Sequence, residues 1–225
     1  AFRGILMKAQ PRGGDARVAR PILLFDLDGI CCDLMKKWLA AYNRDYNDNL
    51  RPEDITTWDW EKFVKPECGK RIYHYLNRPG FFADLEPIAG CVESLGRLAE
   101  VCELVVVTAS PRQAAGDKIA WVRRHLPMVP RGNIVITHRK DLVRGDFMFD
   151  DAPKNLENHP AIRIMMDYPY NRHFHDCYRV HSWAEAERLI RRLVDLPRGE
   201  SRQPSAQWTM QPEHPDALHA YQPTV

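Results

Sequence analysis

Apolar positions follow two patterns along this chain. Short, nearly continuous runs occur at 22–25 (Ile-Leu-Leu-Phe), 102–107, 133–136, 146–149 and 162–166, with a further short run at 178–180. Runs this short and this apolar predict strands buried on both faces of a parallel sheet, the last at its edge. Between them, apolar residues recur at helical spacing. Leu34, Trp38, Leu39 and Tyr42 give one face over 32–46; Val92, Leu95 and Leu98 give another over 87–99. Ile119, Val122 and Leu126 are the expected inward face of a helix over 113–126. Ser182 is the expected N-cap of a helix over 183–194, with Glu185 at the capping-box position. Strands alternating with helices predict an α/β fold, a doubly wound parallel sheet.

One interval breaks the alternation. About 50 residues separate the first strand from the second, more than a plain βαβ crossover uses. Within them lie a polar stretch at 43–51, an aromatic-rich stretch at 52–60 with a helix start at Pro52, and an expected helix at 65–76 ended by Arg78-Pro79-Gly80. The expected organisation is therefore a core of 21–32 and 86–196, with a small helical cap, 33–85, inserted over the sheet's carboxyl edge. Residues 1–20 form an N-terminal extension, basic and containing Arg12-Gly13-Gly14. It lacks the apolar segment of a secretory signal; Asp15 and the scarcity of Ser argue against a transit peptide, and Met7 is a candidate start. Residues 197–225, rich in Pro, Gln, Ser and His, read as a flexible or docked tail. Trp208 and Tyr221 there are available to dock on the domain or on a second copy, which leaves a homodimer open.

Composition narrows the classes. A formal net charge of +2 gives no electrostatic footprint for a nucleic-acid polymer. No apolar stretch approaches membrane-spanning length, so no membrane partner is expected. The six cysteines include no Cys-x-x-Cys pair, and vicinal Cys31-Cys32 suits neither a disulfide nor zinc. Buried, reduced thiols and a cytoplasmic location are expected. A cysteine nucleophile at 31 or 32 is disfavoured by the carboxylates beside it. His173 and His175 lack a third ligand at suitable spacing and read as a solvated loop.

The chemistry lies at the strand ends. The first strand stops at Asp26-Leu27-Asp28-Gly29, the second at Thr108-Ala109-Ser110-Pro111; Lys140 follows the third, and Asp150-Asp151 ends the fourth. Parallel strands bring these groups to one edge, where ligands of open α/β sheets sit. Buried carboxylates there are costly unless paired or bound to a metal. Converging carboxylates with room for water suit Mg²⁺. A cation, a carboxylate nucleophile, a hydroxyl, backbone donors and a Lys together suit phosphoryl transfer.

These four segments resemble the motifs of the haloacid dehalogenase-like phosphohydrolases. Within that superfamily the chain is similar to the 5′(3′)-deoxyribonucleotidases of bacteria and phages. The closer resemblance is carried by residues 79–88, by Lys118 with Trp121-Val122 and His125-Leu126, by residues 140–151, and by Trp58-Asp59. It covers roughly 21–190. The resemblance implies a Mg²⁺-dependent phosphatase acting on nucleoside monophosphates through an aspartyl-phosphate. Asp26 would be the nucleophile and Asp28 the general acid and base. Asp26, Asp151 and the carbonyl of Asp28 would hold Mg²⁺, with Asp150 supporting. Thr108, the N–H groups near Ala109 and Ser110, and Lys140 would bind phosphoryl oxygens, and the insert would close over the nucleoside. Lys118 rivals Lys140 but falls within an expected helix, where a solvated or ion-paired Lys is usual, so Lys140 is preferred. Asp146 would begin its strand, at the end away from the site, and is set aside as a metal ligand.

The chain departs from the animal proteins at His138-Arg139, where they carry Arg-Asp, and at Leu34, where they carry an aromatic. Trp58, Trp60, Phe81 and Phe82 are candidates to stack on a base, though insert core is the plainer reading of each. His138 is a further candidate for substrate contact. The alternatives are a phosphatase of a sugar phosphate or other small metabolite, and a non-catalytic nucleotide-binding module. Dehalogenation is a third, disfavoured by Asp28 and by the Asp150-Asp151 pair.

Overall fold

A computed structural model describes residues 20–196. Most of the expected N-terminal extension and all of the expected tail, with Trp208 and Tyr221, lie outside the described residues. The strands are β1 (Ile22–Phe25), β2 (Glu103–Thr108), β3 (Ile134–Ile136), β4 (Phe147–Asp150), β5 (Ile162–Met166) and β6 (Tyr178–Val180). They form one parallel sheet in the order β3-β2-β1-β4-β5-β6. The helices are α1 (Leu34–Tyr46), α2 (Cys91–Leu98), α3 (Ala115–His125), α4 (Pro153–Leu156) and α5 (Trp183–Asp195). The expected α/β architecture is therefore observed. The chain lays β1, β2 and β3 outward on one side, then returns to place β4 on the other side of β1. That reversal opens a crevice at the carboxyl ends of β1 and β4.

The central strands alternate between two apolar layers, as period-two side chains must. Leu23, Phe25, Val106, Phe147, Phe149 and Ile164 pack with α1, α2, α3 and α5. Leu24, Val107, Met148 and Met165 pack on the opposite face with Leu156 of α4, Ala161 and Cys177. The second layer is thin, and α4 had not been expected. It starts with Pro153 at a first-turn position, where a missing N–H costs nothing.

Differences from the sequence reading are local. The 87–90 stretch is not helical, because Gly90 takes φ +77 and α2 begins only after it. Residues 33–85 contain one α-helix, α1, followed by 3-10 segments Pro52–Asp54, Trp60–Lys62 and Gly69–Asn77 in place of the helix expected over 65–76. This segment is held by aromatic packing: Trp38 and Trp60 stack with ring centroids 3.9 Å apart, and the Trp38 indole donates to the Ile72 carbonyl at 2.8 Å. The Trp121 indole of α3 ties it to the sheet domain by donating to the Leu85 carbonyl at 2.7 Å. Of the expected inward face of α3, Val122 and Leu126 are buried and Ile119 is only half-buried, while Lys118 and Trp121 are buried as well. All six cysteines are free and buried. No helix among the described residues is long and apolar enough to cross a membrane.

α2 and α5 are joined by an ion pair. Arg97 donates to both carboxylate oxygens of Glu187, at 2.8 Å from Nε and 2.7 Å from Nη2, and Arg191 also donates to it at 3.2 Å. The Glu187 side chain is 12% exposed, and chiefly the Arg97 bond lowers its pKa from 4.5 to about 2. A depressed folded-state pKa stabilises above the unfolded value and loses that stabilisation as pH falls through the folded one. Glu187→Gln is expected to cost about 1–2 kcal/mol at neutral pH. In chemical denaturation at stepped pH, the gap from wild type should close between pH 4.5 and about 2.

Candidate active site

Asp26 directly follows β1, and its N–H continues the ladder by donating to Phe149 of β4 at 3.0 Å. β4 delivers Asp150 and Asp151 beside it, so carboxylate oxygens of Asp26, Asp150 and Asp151 lie within 4.8 Å of one another, all three residues being buried. Among the described residues this is the one such grouping of metal-ligand side chains; His173 and His175 are exposed and take no part. Lys140, in the 3-10 segment Lys140–Leu142 beyond β3, reaches into the group. Its ammonium lies 2.9 Å from Asp26 and 2.7 Å from Asp150. Burial alone would lower the Lys140 pKa, but the Asp150 and Asp26 charges overcome it and the net shift is upward.

Three carboxylates around one ammonium leave uncompensated negative charge. Asp151 shows the consequence: burial first, then the Asp150 and Asp26 charges, push its carboxyl well above the usual range. A divalent cation there would remove that penalty, and an all-oxygen donor set suits a hard ion. The residues fit such an ion, with Asp150 the least available of the three. One of its oxygens accepts from Ala152 N at 2.9 Å, the other from Lys140, and the Asn155 amide lies 3.0 Å from both. Asp146 lies at the opposite end of the sheet, accepting from Ile22 N at 2.8 Å.

Asp28 belongs to a second, neighbouring group. Its Oδ2 lies 2.5 Å from Lys118 Nζ, which also donates to Thr108 Oγ1 at 3.2 Å and to the Ala109 carbonyl at 2.6 Å. Burial raises the Asp28 pKa against the pull of Lys118, and the Asp26 charge adds to the rise. Lys118 is thus buried beside the candidate acid. Both lysines stand at the site, each bridging a different pair of groups.

Asp26, Asp28, Ala109, Lys140 and Asp151 floor a cavity of about 560 Å³, while Asp150, Lys118 and Thr108 are buried and do not line it. Its upper wall is apolar and comes from the insert, with Leu34, Met35, Trp38, Trp58, Trp60 and Tyr73. Of the candidate substrate residues, Trp58, Trp60 and His138 line it, Trp60 being buried and stacked on Trp38. Phe81 and Phe82 do not: they are 6% and 2% exposed and pack edge to face inside the insert, with Phe82 beneath Lys118. Their packing matches insert core, because both rings already have neighbours to cover them. Ser110 is also absent from the lining, its hydroxyl turned to the Pro111 carbonyl at 2.9 Å.

Several supporting residues escaped the sequence reading. His159 accepts from Ala161 N at Nδ1, so its Nε2–H donates to the Lys140 carbonyl at 3.2 Å and steadies that turn. Beyond β5, Tyr170 donates to Asp151 Oδ2, Asn171 donates to the Asp151 carbonyl at 2.8 Å, and Tyr168 donates to the Gly29 carbonyl at 2.8 Å. The rule that pointed to the other strand ends applies equally to Asp167-Tyr168-Pro169-Tyr170-Asn171.

The sheet carries carboxylates after its central strand, with Thr, Lys and an Asp pair on the neighbouring ends. Its fold is similar to that of a solved haloacid dehalogenase-like family hydrolase from Streptococcus pneumoniae, with a TM-score of 0.53 at 10% identity over 76% of this chain and 98% of that one. The family model described as 5′ nucleotidase, deoxy (Pyrimidine), cytosolic type C protein matches residues 20–195, and the chain belongs to that family. A 5′(3′)-deoxyribonucleotidase from Clostridium acetobutylicum is 36% identical over 177 residues, covering 79% of this chain and 98% of that protein. A 5′(3′)-deoxyribonucleotidase from Bacillus subtilis is 29% identical over 173 residues, covering 76% and 99%.

Gly29 lets the two halves of the site meet. It takes φ +72, and a Cβ there would lie 2.7 Å from Asp151 Oδ2. Gly29→Ala is therefore expected to displace Asp151 as well as strain the turn. It should cost about 1–3 kcal/mol in thermal or chemical denaturation and weaken divalent-cation binding measured by calorimetry.

Proposed function

We propose that this protein is a Mg²⁺-dependent phosphomonoesterase acting on nucleoside monophosphates, with 5′- or 3′-deoxyribonucleotides as preferred substrates. The observation that carries the reading is the pairing of a carboxylate–lysine floor with an aromatic wall in one cavity. The floor suits a phosphoryl group, and the wall suits the π-face of a base. The names of the two relatives above point to the same substrate class.

Asp26 is the nucleophile. Its carboxylate attacks phosphorus as the ester P–O bond breaks, giving an aspartyl-phosphate. The leaving oxygen takes the bond's electron pair and a proton from Asp28, whose pKa burial raises. Water then attacks the phosphoryl group, returns a proton to Asp28, and frees Asp26 and inorganic phosphate. Lys140 and the N–H groups after Thr108 hold phosphoryl oxygens, while Lys118 and Thr108 orient Asp28. Asp26, Asp151 and the Asp28 carbonyl would hold Mg²⁺, and Asp150 orients Lys140. Bound there, the ion supplies charge neutralisation at the phosphoryl oxygens. The insert excludes water from the cavity, and Trp58 is the residue proposed to meet the base. Leu34 and His138-Arg139, where the chain departs from the animal proteins, line the cavity and are proposed to set base and sugar preference.

The test is phosphate release from 5′- and 3′-(deoxy)ribonucleotides and common sugar phosphates, with Mg²⁺ and with EDTA. Release from nucleotides is expected, abolished by EDTA and reduced at least about a thousandfold in Asp26→Asn. Equal release from sugar phosphates would overturn the substrate class, and nucleotide binding without turnover would overturn the activity.

A further inference from the structure

The loop after β5 has no part in the chemistry above, yet it grips the site at three atoms. Tyr168 donates to the Gly29 carbonyl at 2.8 Å, Tyr170 donates to Asp151 Oδ2, and Asn171 donates to the Asp151 carbonyl at 2.8 Å. The loop is itself rigid. Asn171 also donates to the Met166 carbonyl at 2.8 Å and accepts from Tyr168 N at 3.1 Å and from Arg179 at 2.7 Å. Tyr170 is 2% exposed, and its ring lies parallel to that of Tyr168 with centroids 5.2 Å apart.

The Tyr170 ring also meets the insert. Trp58, 43% exposed, stands at the cavity wall with its ring centroid 4.7 Å from that of Tyr170. One side chain therefore touches a carboxylate of the floor through its hydroxyl and the aromatic wall through its ring. Its bond occupies Oδ2 of Asp151 and leaves Oδ1 for another ligand. Partners that orient a metal-binding carboxylate in this way set both its direction and its basicity.

We propose that Tyr170 is a positioning residue that presents Asp151 to the divalent cation and, through its ring contact with Trp58, ties the cation site to the seat of the insert. The inference rests on the metal reading given above and adds a role for the loop and for Trp58. The hydroxyl and the ring do separable work. Removing the hydroxyl alone frees Asp151 to turn while Trp58 keeps its support. Removing Trp58 leaves the hydrogen bond but takes away a ring that holds Tyr170 in place.

The experiment is Mg²⁺ titration by calorimetry on wild type, Tyr170→Phe, Trp58→Ala and the double variant, with thermal melts in EDTA alongside. Tyr170→Phe is expected to bind Mg²⁺ about 10- to 100-fold more weakly, with its melting temperature in EDTA close to wild type. Its kcat should recover at saturating Mg²⁺ while the nucleotide KM stays unchanged, a pattern that general loosening of the fold does not produce. Trp58→Ala should weaken Mg²⁺ binding by a smaller factor, and the double variant should lose less than the product of the two single losses. Wild-type Mg²⁺ affinity in Tyr170→Phe would overturn the positioning role with the metal reading intact. Fully multiplicative losses, or wild-type affinity in Trp58→Ala, would overturn the tie to the insert. Failure of wild type itself to bind Mg²⁺ would overturn the metal reading, and this inference with it. Should Tyr170→Phe melt much lower, Tyr168→Phe supplies the comparison, since it removes a hydroxyl bond of the same loop without touching Asp151. Equal Mg²⁺ loss in both would overturn the specific role of Tyr170.

Discussion

Buried negative charge at the end of β1 is the constraint on which the site depends. Asp26, Asp150 and Asp151 crowd one point because β4 returns beside β1, and Lys140 answers only part of their charge. Left alone, this arrangement would push protons onto the carboxyls, and the upward shift of Asp151 shows that pressure. The surrounding structure manages it with short, fixed bonds: Asn155 and Ala152 on Asp150, Tyr170 on Asp151, and the Leu27 N–H on Asp26. Such a site favours whatever brings positive charge, and a cation with a phosphoryl group beside it satisfies the floor at once.

The same electrostatics separate the two lysines. Lys140 bridges Asp26 and Asp150, while Lys118 bridges Asp28, Thr108 and a backbone carbonyl. Each ammonium has a carboxylate partner from a distant part of the chain, so neither is a free surface charge drawn in by substrate. Together they divide the floor into an Asp26 side and an Asp28 side.

Much of this was legible in the sequence, for a physical reason. Strands buried on both faces must be continuous apolar runs, so β1, β5 and β6 were found to the residue, and β2, β3 and β4 to within one. The carboxylates at their ends stood out because a buried strand rarely ends in paired charges without a purpose. What was hidden depends on contacts far apart along the chain. The burial of Lys118 depends on Asp28 ninety residues earlier, and nothing local to α3 reports it. The insert became 3-10 segments because its shape comes from Trp38, Trp60 and Tyr73 packing on one another, and that packing overrides local helical spacing. Phe81 and Phe82 resembled Trp58 as bare aromatic letters; only packing shows that two are covered and one is not.

The floor and the wall are built from different physics, and this lets one vary without the other. Every floor group is locked by hydrogen bonds or ion pairs to its neighbours, so a change there disturbs charge balance across the whole site. The wall is held by ring packing and by apolar side chains such as Leu34 and Met35, whose replacement alters shape without unpairing any charge. Leu34, His138 and Arg139 lie on the wall or at the rim. A phosphatase built this way can change the nucleoside it accepts while leaving its phosphoryl chemistry untouched. Tyr170 is where the two halves meet, since its hydroxyl belongs to the floor and its ring to the wall.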